Sequence, residues 1–144
     1  MSSTNSSTDA TRSHLQEVRS AFLSLHKALL DSERVMYEKS YGRIQTSGEF
    51  FRLVIGDGWF SWLRPMSQFI ALVDETLSAK EPMTQAQAQE LLEAARRLTI
   101  ASSDGTPGEQ RYYQAIQRDP DVAIKYAKVT KLLAAGNARQ PDEI

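Results

Sequence analysis

The chain has 144 residues, with 17 basic and 18 acidic side chains and a formal net charge of −1. This length predicts one domain with a core of its own. The absence of cysteine excludes disulfides, thiolate metal sites and a cysteine nucleophile. The near-neutral charge argues against a nucleic-acid partner, because nucleic-acid-binding modules carry a basic surface. No apolar run has the roughly 18 residues of a membrane span, and no signal peptide follows the first residue, so we expect a cytoplasmic protein with no membrane partner.

The two ends of the chain are polar. Residues 1–12 consist mostly of Ser, Thr, Asn and Asp, a composition that predicts a disordered leader. Ordered structure is predicted from Ser13, which forms an S-x-x-Q capping box with Gln16. We therefore expect a single helical domain over residues 13–136, followed by a frayed polar tail over 137–144.

A long first helix follows the predicted cap. Its apolar residues recur at alternating spacings of three and four, which is typical of one buried helix face. The helix should end near Tyr41, because Gly42 provides a C-terminal signal. Only Ser32 interrupts the stripe, which consists of Leu15, Val18, Phe22, Leu25, Leu29 and Met36.

A second arm is broken by glycine. Thr46 and Glu49 form a capping box that opens a short helix, and Gly56-Asp57-Gly58 ends it. A proline is tolerated only in the first turn of a helix, so Pro65 predicts that a new helix starts over residues 57–61. The sequence leaves open whether this arm is one bent helix or two.

Three further helix starts complete the predicted fold. Capping boxes occur at residues 84–87 and 106–109, and Asp119-Pro120 repeats the pattern of a cap followed by proline. No stretch alternates with period two, so no strand is predicted. The fold class is all-α, a compact bundle of five to six helices built on four arms.

Two segments in the first half of the chain resemble a family of small bacterial all-helical proteins of unknown function. One is LHKALLD at 25–31 with Glu33-Arg34 and Tyr37-Glu38, ending at Gly42, and the other is WFSWLRPMS at 59–67 with Asp74-Glu75. RY at 111–112 and QRDPDV at 117–122 extend the resemblance. It implies a bacterial origin and a helical fold, and it supplies no catalytic residue.

His26, Glu33 and Tyr37 form a row on the first helix. Their spacings of seven and four place all three on a similar side of the helix. If that side borders the core, the row is an acid–base pair or part of a metal site. Alternatively, it is an amphipathic helix edge with no chemistry of its own.

Trp59, Phe60 and Trp62, here termed the aromatic junction, lie within four residues. Adjacent helical residues point about 100° apart, so at least one ring should reach the surface. Together with Arg64 they form either a binding site or a packed connection between the halves of the broken arm. Arg64 would bind an anion, or pair with Asp57 or Asp74.

Recognised catalytic and cofactor motifs are absent from the sequence. It has no Glu-x-x-His, no His-Glu-x-x-His, no Gly-x-Ser-x-Gly and no phosphate-binding loop. We therefore predict no catalytic residue, no metal ligand and no cofactor. Lys125, Lys128 and Lys131 form a basic row that we interpret as a solvated face.

These observations favour a non-enzymatic helical interaction or scaffold module. It would self-associate or bind a protein partner through Trp59, Phe60, Trp62 and Arg64. The alternative is a small-ligand binder or an enzyme with a pocket between helices, formed by His26, Glu33, Tyr37 and Arg64.

Overall fold

A computed structural model describes the backbone of residues 2–138 and the side chains of residues 9–135. Those residues contain no strand, and the predicted all-α class with five to six helices is confirmed. A 3₁₀ helix, Gly58–Leu63, connects the second and third α-helices. The α-helices are α1 (Ser2–Tyr41), α2 (Ser47–Gly56), α3 (Arg64–Ser78), α4 (Gln85–Arg97), α5 (Pro107–Arg118) and α6 (Pro120–Ala138).

The first helix starts earlier than its sequence pattern indicates. α1 begins at Ser2, so the predicted start at Ser13 is wrong, and residues 2–12 have helical backbone where a disordered leader was expected. Arg12 donates a hydrogen bond to the carbonyl of Leu77 at 2.6 Å. That carbonyl lies in the last turn of α3, where it has no partner within its own helix. This contact between distant residues joins α1 to α3 at Arg12.

Some predictions concern residues outside the described part of the chain. The parts of the chain concerned are Met1, the side chains of residues 2–8, and the predicted polar tail over 137–144. For 137 and 138 the helical backbone alone is described, because α6 extends to Ala138.

The core follows the predicted faces of the helices. α1 packs most extensively on α6 and next on α3. The predicted stripe of α1 is buried from Leu15 to Leu29, whereas Met36 at its end is only half-buried. On α6, Val122, Val129 and Leu133 are buried, whereas Ile124 is 69% exposed. Residues buried on the remaining helices include Met66, Phe69, Ile70, Val73, Ala88, Leu91, Leu92, Ala95, Tyr112 and Ala115.

The helix boundaries follow local capping. Both full boxes, at 84–87 and 106–109, have reciprocal side-chain and backbone hydrogen bonds. The box at Thr46 is half formed: its hydroxyl accepts from the Glu49 amide, but the Glu49 carboxylate accepts from the amide of Gln45 instead. Gly42 ends α1 with φ of +93°, a conformation that favours glycine.

The broken arm consists of two separate helices. α2 ends at Gly56, and the side chain of Asp57 caps the 3₁₀ helix by accepting from the Trp59 amide at 2.8 Å. Pro65 lies in the first turn of α3, but that helix begins at Arg64 rather than over the predicted 57–61, because the 3₁₀ helix occupies residues 58–63. The 3₁₀ helix thereby holds the aromatic junction between α2 and α3.

Within residues 2–138, every helix is too short or too polar to cross a membrane.

Candidate functional site

The most unusual feature of the core is a buried carboxylate. Glu33 on α1 is 1% exposed, and its two oxygens contact two arginines of α5. Arg111 bonds to Oε1, and Arg118 Nη2 donates to Oε2 at 2.5 Å. Arg111 and Arg118 are seven residues apart, nearly two helical turns, so both reach the same side of α5.

The indoles of the aromatic junction complete this arrangement. Trp62 Nε1 donates to Glu33 Oε1 at 3.2 Å, and Trp59 Nε1 donates to the Glu33 carbonyl at 3.3 Å. The guanidinium of Arg111 lies 4.7 Å from the centre of a Trp59 ring, in a cation–π contact. We term Glu33, Arg111, Arg118, Trp59 and Trp62 the Glu33 cluster.

The cluster joins three parts of the fold. It connects α1, the 3₁₀ helix and α5, and Arg118 Nε also donates to the hydroxyl of Ser32 at 3.1 Å. Ser32, which interrupts the apolar stripe of α1, is only 5% exposed, and the bond from Arg118 gives its buried hydroxyl a partner. Both oxygens of Glu33 are therefore bonded to cations, which compensates the burial of its charge.

His26 lies outside this cluster. It borders a cleft of about 240 Å³ between α1, α2 and α3, together with Arg64. Desolvation lowers the pKa of His26, and a hydrogen bond with the backbone of Leu63 partly opposes that change. Glu33 and Tyr37 do not line this cleft. Of the four residues of the predicted pocket, His26 and Arg64 therefore share a cleft, whereas Glu33 and Tyr37 lie outside it.

Arg64 has a partner that sequence reasoning did not identify. Its Nη2 donates to the carbonyl of Ile55 at 2.6 Å, near the end of α2. The predicted pairing with Asp57 or Asp74 is wrong. Asp57 caps the 3₁₀ helix, and Asp74 forms a two-bond contact with Arg19 at 2.8 and 3.0 Å.

Tyr37 belongs to an aromatic group. Its ring centre lies 5.9 Å from that of Trp59 and 5.7 Å from that of Phe60. Phe60 is 1% exposed, whereas Trp59 and Trp62 are half-buried. Desolvation is the largest of the effects that raise the pKa of Tyr37. Tyr37 therefore stays neutral and packs as an aromatic side chain.

An exposed apolar surface lies next to this group, on α2. No residue of α2 is buried, and α2 packs chiefly on the 3₁₀ helix. Phe50 faces inward, with its ring centre 5.7 Å from that of Phe60. On the outer side, Phe51 is 64% exposed and Ile55 is 56% exposed. We term Phe51 and Ile55, which are one turn apart, the outer face of α2.

The basic row of α6 is partly neutralised. Lys125 donates to Asp121 at 3.2 Å. Lys125 and Lys128 also border an open groove of about 440 Å³ that contains Glu17 of α1. A carboxylate inside the groove weakens the positive potential that a nucleic-acid phosphate would require.

Comparison with known proteins gives no assignment. No family model, no curated protein and no solved structure matches the chain. Within the described residues, no group of three or more histidine, aspartate or glutamate side chains has a spacing that would hold a metal ion.

Sequence reasoning missed both arginines of the Glu33 cluster as site residues. Their seven-residue spacing on one helix is a weak signal, because many exposed arginines share it. The sequence analysis also singled out the indoles, which are half-buried, and did not name Phe51 and Ile55, which are more exposed.

Burial of His26 gives a pH dependence of stability. Because its folded pKa lies below the ordinary value of 6.5, the unfolded chain binds the proton more tightly. The His26 contribution is therefore complete above that value and declines as the pH falls below it. We expect the melting temperature to fall from about pH 7 to about pH 5, and less steeply for H26Q. His14 is present in both proteins, so parallel curves would contradict the assignment to His26.

Proposed function

We propose that the protein is a helical interaction module that self-associates through the outer face of α2. The observation that carries the proposal is that α2 is rich in large apolar side chains and buries none of its residues. Phe51 and Ile55 expose more than half of their surface on the same side of this helix. Adjacent exposed apolar side chains of this size are typical of binding surfaces.

The shape of this region favours a second copy of the chain as the occupant. Phe51 and Ile55 form a ridge, and Ile55 also borders the cleft that contains His26 and Arg64. Around a two-fold axis, the ridge of each copy faces the cleft of the other, so the same surface is used twice. The net charge of −1 produces little repulsion between two copies.

The size of the outer face of α2 limits how tightly two copies can bind. α2 has 10 residues. A helix of that length is about 15 Å long, so its outer face is much smaller than the roughly 800 Å² per partner of a standard interface. We therefore expect a reversible equilibrium with a dissociation constant in the micromolar range or weaker.

Sedimentation velocity from micromolar to near-millimolar concentration tests the proposal. The dimer fraction of the natural protein should increase with concentration. In the double variant F51Q/I55Q the association constant should fall at least about tenfold, because apolar area is lost from both sides of the axis.

The matched control is I124Q. Ile124 is 69% exposed on α6, and its replacement removes apolar area comparable to that of Ile55 alone from a different surface. Equal weakening by I124Q, or a natural protein that is monomeric at every concentration, would overturn the proposal.

A further inference from the structure

A second cleft contains neither residue of the outer face of α2. It has a volume of about 410 Å³ and lies between α3, the end of α4 and the start of α5. Small-molecule sites have volumes of roughly 300–1,000 Å³ and mostly apolar walls. We term it the Ile100 cleft. Its apolar walls include Trp62, Met66, Leu98, Ile100 and Tyr112.

Two of the wall residues are aromatic and held rigidly. Trp62 and Tyr112 have ring centres 6.0 Å apart, and Tyr112 is 4% exposed. Trp62 is also fixed by its hydrogen bond to Glu33. Fixed aromatic walls lose little conformational freedom when a ligand binds, so they favour recognition of a planar ring.

A cation lies at the same cleft. Arg97, in the last turn of α4, lines it, and its guanidinium makes no hydrogen bond or ion pair with any described residue. Glu93 pairs with the neighbouring Arg96 at 3.3 Å instead. An unpaired guanidinium beside apolar walls provides two N–H donors that match the geometry of a carboxylate.

The remaining charged group at the cleft is already occupied. Glu109 lines it, but its carboxylate accepts a hydrogen bond from the Thr106 amide at 3.0 Å as part of the capping box of α5. The start of α5, with its positive helix dipole, adjoins the cleft at Thr106 and Gly108. Glu109 therefore stays at the N-terminus of α5, and Arg97 is the cationic side chain of the cleft that an anion would contact.

We propose that the Ile100 cleft binds a small aromatic carboxylate, with its ring against Trp62 and Ile100 and its carboxylate on Arg97. This site is independent of self-association through α2, because Phe51 and Ile55 do not line it.

Titration with 3-phenylpropionate, followed by amide NMR of the natural protein, tests the proposal. We expect saturable shifts for Ile100, Thr106 and Gly108, with a dissociation constant on the order of 0.1–1 mM for a ligand of this size in an open cleft. Two related probes separate the contributions. The uncharged amide 3-phenylpropanamide and the ringless anion acetate should each bind at least about tenfold more weakly.

Two variants test the residues. R97Q should weaken binding of 3-phenylpropionate about tenfold or more, because a charge-assisted hydrogen bond is lost. The matched control is R52Q, since Arg52 is an exposed arginine on α2, away from this cleft. It should leave the affinity unchanged. The amide spectrum of each variant reports whether it is folded.

Three results would overturn the proposal. They are the absence of saturable shifts at the cleft, equal binding of the acid and its amide, and an R97Q affinity equal to that of the natural protein. I100N provides a second test, because Ile100 is 48% exposed and its replacement leaves the core intact. An I100N variant that binds as tightly as the natural protein would likewise exclude a ring site at this wall.

Discussion

Replacement of Glu33 by alanine should lower the free energy of unfolding by about 3 kcal/mol, the lower end of the range for breaking a buried ion pair. The reason is that Arg111 and Arg118 lose their shared counter-ion and Trp62 loses the acceptor of its N–H group. The lower end applies because the two arginine side chains remain 31% and 27% exposed, and water therefore screens part of the loss. Urea unfolding followed by circular dichroism measures the change, which corresponds to a fall of about 10 °C in melting temperature.

The matched control is Asp74→Ala. It removes a carboxylate that also contacts an arginine by two hydrogen bonds, but the Arg19 and Asp74 side chains are 30% and 50% exposed. Exposed pairs contribute about 0–1 kcal/mol. If E33A destabilised the protein no more than D74A, the Glu33 cluster would have no special structural role.

Replacement of Phe60 by alanine should cost about 3–5 kcal/mol, as is typical for removal of a buried phenylalanine. Its ring is 1% exposed and contacts the rings of Phe50 and Tyr37. Because α2 packs chiefly on the 3₁₀ helix, this substitution should also detach α2. Hydrogen exchange should therefore accelerate more over residues 47–56 than over α4.

Phe51→Ala on the same helix is the comparison for this experiment. Its ring is 64% exposed, so the loss should stay within about 0.5 kcal/mol. Unchanged exchange over α2 in F60A would show that Phe60 does not hold this helix in place.

The helix starts were predictable because capping is local. A cap needs a hydroxyl and a carboxylate or amide three residues apart, and such a pair is visible in the sequence at Thr84 and Thr106. The start of α1 was not predictable in this way, since the bond from Arg12 to Leu77 joins residues on different helices. A composition typical of disorder does not record a contact of that kind.

The candidate site was predictable in part. Glu33 follows Leu29 by one turn, which indicates its place near the core, but nothing in the sequence indicates which of the arginines is its partner. Arg111 and Arg118 are 78 and 85 residues away along the chain. On α2, apolar residues at 50, 51, 54 and 55 span a wide arc, so the pattern alone does not show which of them a neighbouring helix covers.

The long separation between Glu33 and its arginines determines when the Glu33 cluster forms during synthesis of the chain. On the ribosome, α1 emerges before α5 and α6, although α1 packs most extensively on α6 and its carboxylate needs α5. A nascent chain that ends before residue 107 therefore exposes the apolar face of α1 and a glutamate that lacks its cations. The Glu33 cluster is thus formed late in synthesis, and until then the partly made chain depends on its environment to avoid aggregation.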